Sequence, residues 1–363
     1  MSLLYDAVAA GMTGYTRAAF ALETLGPRRL DFRPATLVVV THRRETDVPL
    51  VSPILYARAR LWRRRSRLER MTFAARDDMF LPAFFAGFPP ALPPGVRRLL
   101  FPLGVGRWLP RVQVAPLRSA HVARLGEVLR LRRGERLDAL LSAGELERFL
   151  ARAEACGLAA PVRVADVFRG EYADLLWRSV RPDDPAAASL ERFWSRRAAQ
   201  AAADLRGLVD LLRAGGTLVV FPEGRPSPDG EIGPVQRGVA SLVRRGRPRV
   251  LLPAALAYDP LARGRTRVAV GIGDVVPAPA ENVEEAVLSL LRRTMPLTAG
   301  QIVAAGADVE SALVEAQAAR RPVETALLDP ARRARRIAEA AATAPRRPAD
   351  VAFLQREYAS ARA

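Results

Sequence analysis

The chain contains no lysine, so all 56 of its basic residues are arginine. Against 38 acidic residues they leave a formal net charge of +18, which suits a polyanionic partner, either nucleic acid or an anionic membrane face. Alanine, glycine and proline are abundant alongside, as in proteins of GC-rich genomes, so part of the arginine excess is coding bias. Cysteine is scarcer still. Cys156 is the only one, which excludes an internal disulfide framework and any multi-cysteine metal site, and fits a reducing cytoplasm. The two histidines, His42 and His121, stand far apart with no carboxylate cluster around them, so no metal site is expected. Aromatics make up 6% of the chain, too few and too seldom beside arginine for a base-stacking surface. No helix-turn-helix, zinc-finger or RRM signature is present, so nucleic acid is not an expected partner. No apolar run reaches the roughly 18 residues of a membrane-spanning helix. Residues 1–30 also lack the charged start and apolar stretch of a secretory signal. Peripheral association with a membrane remains compatible with all of this.

What is present divides into recognisable pieces. At 363 residues and 50% hydrophobic composition, the chain can bury a substantial core in one large domain or two. From Ser2 to Leu25 the residues Leu3, Leu4, Val8, Met12, Tyr15, Ala19, Phe20 and Leu22 form a helical apolar stripe that Gly26-Pro27 ends. Such a stripe packs on its own domain or lies on lipid. The run Ala35–Val40 reads as a buried strand, and Ser52-Pro53 starts a helix that continues as a strongly arginine-rich stretch to Arg70. The segments 79–90, 99–105 and 108–110 are apolar but broken by proline and glycine, as loops or short helices that line an acyl pocket, touch lipid or fill core. Residues 111–117 alternate as a short strand. Residues 122–204 are mostly helical, with a candidate strand at Pro161–Val164. After Gly215-Gly216 a second buried strand runs Thr217–Phe221, and residues 249–256 and 266–271 read as two more. Strands separated by helical stretches imply an α/β fold with a mainly parallel central sheet flanked by helices. The expected organisation is an N-terminal amphipathic helix over 1–29, a domain over 30–275 with a helical insertion at about 120–204, and a helical C-terminal region over 276–363.

Two segments carry candidate chemistry. Thr41-His42-Arg43-Arg44-Glu45-Thr46-Asp47 follows the first buried strand, at the strand end where open α/β sheets place their sites. His42 and Asp47 are five positions apart, about 140° of rotation on a continuous helix, so they meet only if the chain turns between them. A carboxylate against one ring nitrogen fixes the tautomer and leaves the other nitrogen to accept a hydroxyl proton. Alone, the pair is a weak signal and reads more readily as a satisfied turn histidine. Phe221-Pro222-Glu223-Gly224-Arg225 follows the second buried strand. Its proline and glycine enforce a tight backbone, Gly224 permits close ligand approach, and Arg225 can engage a phosphate. Glu223 can then accept from hydroxyls or orient an arginine, or stand solvated in an ordinary turn.

Taken together, the HxxxxD spacing, the FPEG segment continuing through Asp229-Gly230-Glu231 to Gly233-Pro234 and Gly238, and the apolar Val250–Pro253 resemble the glycerolipid acyltransferases, the family of the lysophosphatidic acid acyltransferases. The resemblance covers roughly residues 30–275. It implies that His42 removes a proton from an acceptor hydroxyl as that oxygen attacks an acyl thioester, with Asp47 orienting the ring. Glu223, Gly224 and Arg225 would hold the acceptor's glycerol and phosphate, and Arg118 would be the further phosphate-binding arginine, Arg178 and Arg181 being the alternatives. No cofactor or metal is implied, only acyl-CoA or acyl carrier protein as donor, a lysophospholipid acceptor, and an anionic surface on the inner face of the cell membrane. In this chain the arginine after FPEG comes one place earlier than in the family, with Pro226 behind it. The stretch between Arg118 and Phe221 is also longer, pointing to inserted helices. The competing readings are a catalytically silent lipid-binding member of the fold and an arginine-rich nucleic-acid-binding protein.

Overall fold

The computed structural model describes residues 2–63, 66, 68–87 and 92–362. The chain forms two compact units: one takes in everything up to Ala74 and again from Leu208 onward, and the other is Ala75–Gly207. The first carries strands β1 (Ala21–Leu25), β2 (Thr36–Val40) and all but the last two residues of β3 (Met71–Arg76). The short strands β4 (Val114–Leu117), β5 (Ala123–Arg124) and β6 (Ser179–Val180) belong to the second unit. β7 (Thr217–Val220), β8 (Val250–Asp259), β9 (Arg267–Ile272) and β10 (Val276–Pro277) complete the first.

In the first unit the strands run in the order β1-β9-β8-β2-β7-β3. β2 lies parallel to both β7 and β8, β7 to β3, and β1 to β9, while β9 and β10 are antiparallel to β8. The fold is thus a mixed, mainly parallel sheet flanked by helices, as the pattern predicts. Every residue of β2, β7 and β8 is buried, which is why these strands read as unbroken Val/Leu/Ala runs rather than alternations.

Several boundaries differ from expectation. The first helix stops at Ala19, and Ala21–Leu25 pair with β9 instead of extending it. The next helix is Asp47–Arg58, beginning before Ser52 and ending well short of Arg70. Its end is fixed by Arg58, whose carbonyl accepts from the Leu30 amide and whose guanidinium reaches the Pro27 and Thr24 carbonyls. Arg64, Arg65 and Arg67 of the expected basic helix lie outside the described residues, as do Phe88, Pro89 and Pro90 of the apolar segment that follows. The rest of that segment forms short turns of helix, Asp77–Phe80, Phe84–Gly87 and Pro94–Leu100. β3 carries only two β-branched or aromatic residues, Thr72 and Phe73, and gave no strand signal. Pro161–Val164 is no strand; Val164 begins a single 3-10 turn.

β8 passes straight through Pro253, where sequence alone ends it near Leu256. A proline lacks the amide a central strand needs. Here Val250 and Leu251 pair with β10 and Ala254–Asp259 pair with β9, so Pro253 falls at the changeover between two partners.

The second unit has its own core, in which Leu125, Val128, Leu129, Phe149, Val167 and Tyr172 pack together. β5 and β6 form a small antiparallel ribbon within it. The unit, Ala75–Gly207, takes in the stretch 120–204 and begins well before it. The C-terminal helices Val283–Thr294, Ala299–Ala305, Val309–Ala318, Pro330–Thr343 and Pro348–Ser360 form one compact unit with the sheet. Among the described residues no helix is long and apolar enough to cross a membrane.

Candidate active site

β2 and β7 are parallel neighbours, so the loops leaving their C-terminal ends emerge side by side. One carries His42 and the other Glu223. Beyond Val40 the Thr41 amide still donates to Ala254 at 3.1 Å, and the Thr41 hydroxyl accepts from the Leu256 amide at 3.0 Å. His42 therefore leaves the sheet from an anchored backbone.

The turn that brings Asp47 back is built on Asp47 itself. Its Oδ2 accepts from the Arg43 amide at 2.5 Å, the Arg44 amide at 2.9 Å and faces His42 Nδ1 at 2.9 Å. Its Oδ1 accepts from the Tyr258 hydroxyl at 2.7 Å. Asp47 is fully buried and opens the helix Asp47–Arg58, where the backbone dipole favours its negative charge. With an ionised carboxylate on Nδ1, that nitrogen carries the imidazole proton and Nε2 presents its lone pair. Nε2 has no hydrogen-bond partner among the described residues. The ring is 13% exposed and lies against Phe221, centroid to centroid 4.7 Å.

Tyr258 is the contributor that sequence reading missed. Burial, reinforced by the Asp47 charge, pushes its phenol well above the ordinary value, so it remains protonated and can only donate to the carboxylate. Thr46 Oγ1 stands 2.9 Å from the same oxygen, and the Arg44 guanidinium stacks 4.7 Å from the ring centre. A tyrosine closing an apolar strand was the available signal, because a buried hydroxyl requires a partner.

Glu223 occupies a different position from the one its motif suggests. Its carboxylate points inward and is 2% exposed. It accepts from the His42 amide at 2.7 Å, the Ser227 hydroxyl at 2.6 Å and the Gly233 amide at 2.9 Å. The Ser227 amide in turn donates to the His42 carbonyl at 2.8 Å. Glu223 thus ties the two loops together through the backbone of His42. Gly233 packs closely there: a Cβ would stand 3.2 Å from both Glu223 Oε2 and Ser227 Oγ, so those side chains would have to give way by a few tenths of an ångström. Gly224 turns the chain at φ +69°, a conformation that favours glycine.

The arginines separate by availability. Arg225 is exposed and forms no side-chain hydrogen bond or ion pair among the described residues. Arg118 lies in the second unit, its guanidinium on Asp204 at 2.8 and 2.9 Å. Arg178 of the same unit is held by Asp184 at 2.8 Å and Glu145 at 2.5 Å. Arg181 is exposed there. Among the described residues no group of His, Cys, Asp and Glu side chains is arranged to hold a metal ion.

Residues 179–257 match the family model for acyltransferases. Over those residues the resemblance to acyltransferases drawn from the motifs stands, and the match includes the whole Phe221–Gly224 loop and most of β8. It leaves out the His42–Asp47 loop, which the fold brings to it. No curated protein sequence matches the chain. Among solved structures, the crystal structure of the 1-acyl-sn-glycerophosphate acyltransferase PlsC from Thermotoga maritima aligns with a TM-score of 0.41 at 14% identity, covering 80% of this chain and 77% of that one.

Proposed function

We propose that the protein is an O-acyltransferase that moves a fatty acyl group from a thioester, acyl-CoA or acyl carrier protein, to a hydroxyl of lysophosphatidate or a related glycerolipid. The observation that carries this reading is the His42 Nδ1 to Asp47 Oδ2 contact of 2.9 Å, beside a Glu223 loop that fastens the His42 amide at 2.7 Å. Nε2 takes the acceptor's hydroxyl proton as the oxygen attacks the thioester carbonyl. Asp47, braced by Tyr258, stabilises the imidazolium that results. Collapse of the tetrahedral species expels the thiolate, which recovers the proton from Nε2, leaving an ester and a free thiol. No cofactor enters this sequence of steps. Arg225 is an exposed cation of the loop, without a side-chain partner among the described residues, and suits an acceptor phosphate, whereas Glu223 acts from behind by holding the loops. Bringing two substrates together accounts for much of the remaining rate. The arginine-rich surface would attract an anionic leaflet, consistent with a peripheral enzyme on the cytoplasmic face of the membrane.

The test is a purified-protein assay pairing both donors with a panel of lysophospholipid acceptors. The expected result is transfer to at least one acceptor, and a fall of roughly 100- to 10,000-fold in His42→Ala. Undiminished turnover in His42→Ala overturns the mechanism.

A further inference from the structure

The helix Pro348–Ser360 lies far along the chain from both motif loops, yet one of its faces grips each of them. The residues involved are Phe353, Arg356, Glu357 and Ser360, a spacing of three, four and seven that places them on a single stripe. Toward the histidine loop, Glu357 Oε1 stands 3.7 Å from Arg43 Nε, both side chains being fully buried. The Arg44 guanidinium, next in sequence, sits 5.8 Å from the centre of the Phe353 ring. The two residues that follow His42 are thus both engaged from this helix.

Toward the glutamate loop the contacts are backbone-directed. Arg356 Nε donates to the Asp229 carbonyl at 2.6 Å, and the Ile232 amide donates to Ser360 Oγ at 2.9 Å. Gly230 lies so close that a Cβ there would be 2.3 Å from the Phe353 carbonyl oxygen. Arg43 Nη1 closes the set by donating to the Glu231 carbonyl. Gln301 Nε2 donates to Glu357 Oε2 at 2.8 Å and holds that carboxylate in place. Arg43 Nε and Glu357 Oε1 have no hydrogen-bond partner among the described residues, so each is the other's nearest complement.

We propose that the helix Pro348–Ser360 is a positioning element of the candidate active site. Glu357 and Phe353 hold the His42 loop through Arg43 and Arg44, and Arg356 and Ser360 hold the Asp229–Ile232 end of the Glu223 loop. A buried ion pair is a weak source of net stability, and its best-attested use is to fix one arrangement among several. Here it fixes where the His42 loop sits against the Glu223 loop. The proposal rests on the acyltransferase reading for its catalytic consequence, while its structural half stands independently.

Both halves are tested together on the full chain with Glu357→Gln, which removes the charge, and Arg356→Ala/Ser360→Ala, which removes two peripheral pins and keeps the buried pair. Hydrogen exchange is followed at residues 41–47 and 227–233, with β2 and β7 as internal references, beside steady-state acyl transfer. The expected result is exchange accelerated about tenfold or more in the two loops with the strands unchanged. A fall in kcat of roughly 10- to 100-fold at nearly constant KM should accompany it. Should Glu357→Gln fail to fold, the double variant carries the same reading. Unaltered loop exchange in the variants overturns the proposal, as does loosened exchange with undiminished kcat. If the wild-type protein shows no transfer with any donor and acceptor, the acyltransferase reading falls while the exchange result still decides whether the helix holds the loops.

Discussion

At the scale of single residues, the site is a set of buried groups whose partners are mostly backbone amides. This makes Glu223 a sharper test than His42. A substrate-binding carboxylate and a bracing carboxylate predict different losses on Glu223→Gln. Three donors face the existing side chain, the His42 amide, the Ser227 hydroxyl and the Gly233 amide, and an amide nitrogen in place of one oxygen would oppose donor to donor. The expected outcome is a stability loss of about 1–3 kcal/mol in chemical denaturation. Turnover should fall as the His42 loop shifts, whereas a raised KM at unchanged stability would show that Glu223 serves the acceptor instead. Tyr258→Phe isolates the second brace. It deprives the buried Asp47 Oδ1 of its 2.7 Å donor, so a cost of about 1–3 kcal/mol is expected, with a several-fold drop in kcat and little change in KM. A loss as large as that of His42→Ala would instead place the phenol in contact with substrate.

Among elements, what could be read from sequence and what could not divide along the range of the interactions involved. β2 and β7 announce themselves because both faces are covered and no polar residue interrupts them. The pairing of His42 with Asp47 was legible as a requirement, that the chain turn within five residues, and the buried Asp47 carboxylate supplies that turn by accepting two amides. β1 was unreadable because its residues are all half-buried and share the polarity of the helix before them. The passage of β8 through Pro253 depends on the switch between β10 and β9, which no local pattern encodes. The role of the last helix is also non-local, since its glutamate matters only through Arg43. Glu357 offers a test by pH. Burial pushes its carboxyl up from an ordinary value of 4.5 to about 7, with Asp259 adding to the rise and Arg43, Arg321 and the Gln301 hydrogen bond opposing it. A folded-state value above the unfolded one means that the folded form binds the proton more tightly. The stability this group contributes is then complete below about pH 4.5 and is lost as pH rises through about 7. Wild type measured against Glu357→Gln in urea should show the wild type losing ground across that window; a constant difference would mean Glu357 titrates normally.

For the whole molecule the net charge of +18 is the quantity that sets its far field. Internal pairing does not change that sum: Arg336 with Asp259 and Glu324, or Arg197 with Asp77 and Glu127, each set two carboxylates against one arginine. The excess must therefore be expressed outside such clusters, where the far field attracts any polyanion. Basic groups near an anionic leaflet contribute roughly 1 kcal/mol each, a gain that fades as the Debye length shrinks from about 8 Å at physiological salt to about 3 Å at 1 M. The expected outcome of vesicle co-sedimentation is strong binding to membranes rich in phosphatidylglycerol, little to pure phosphatidylcholine, and release on raising salt to about 1 M. Retention on neutral vesicles at high salt would mean that apolar insertion dominates and that the charge is incidental. Because nucleic acid would be drawn by the same field, the discriminating arm is competition. Duplex DNA should lower vesicle binding only at low salt, and under the proposed function acyl transfer should rise with anionic vesicles and not with DNA, a membrane-borne acceptor being the substrate that function proposes.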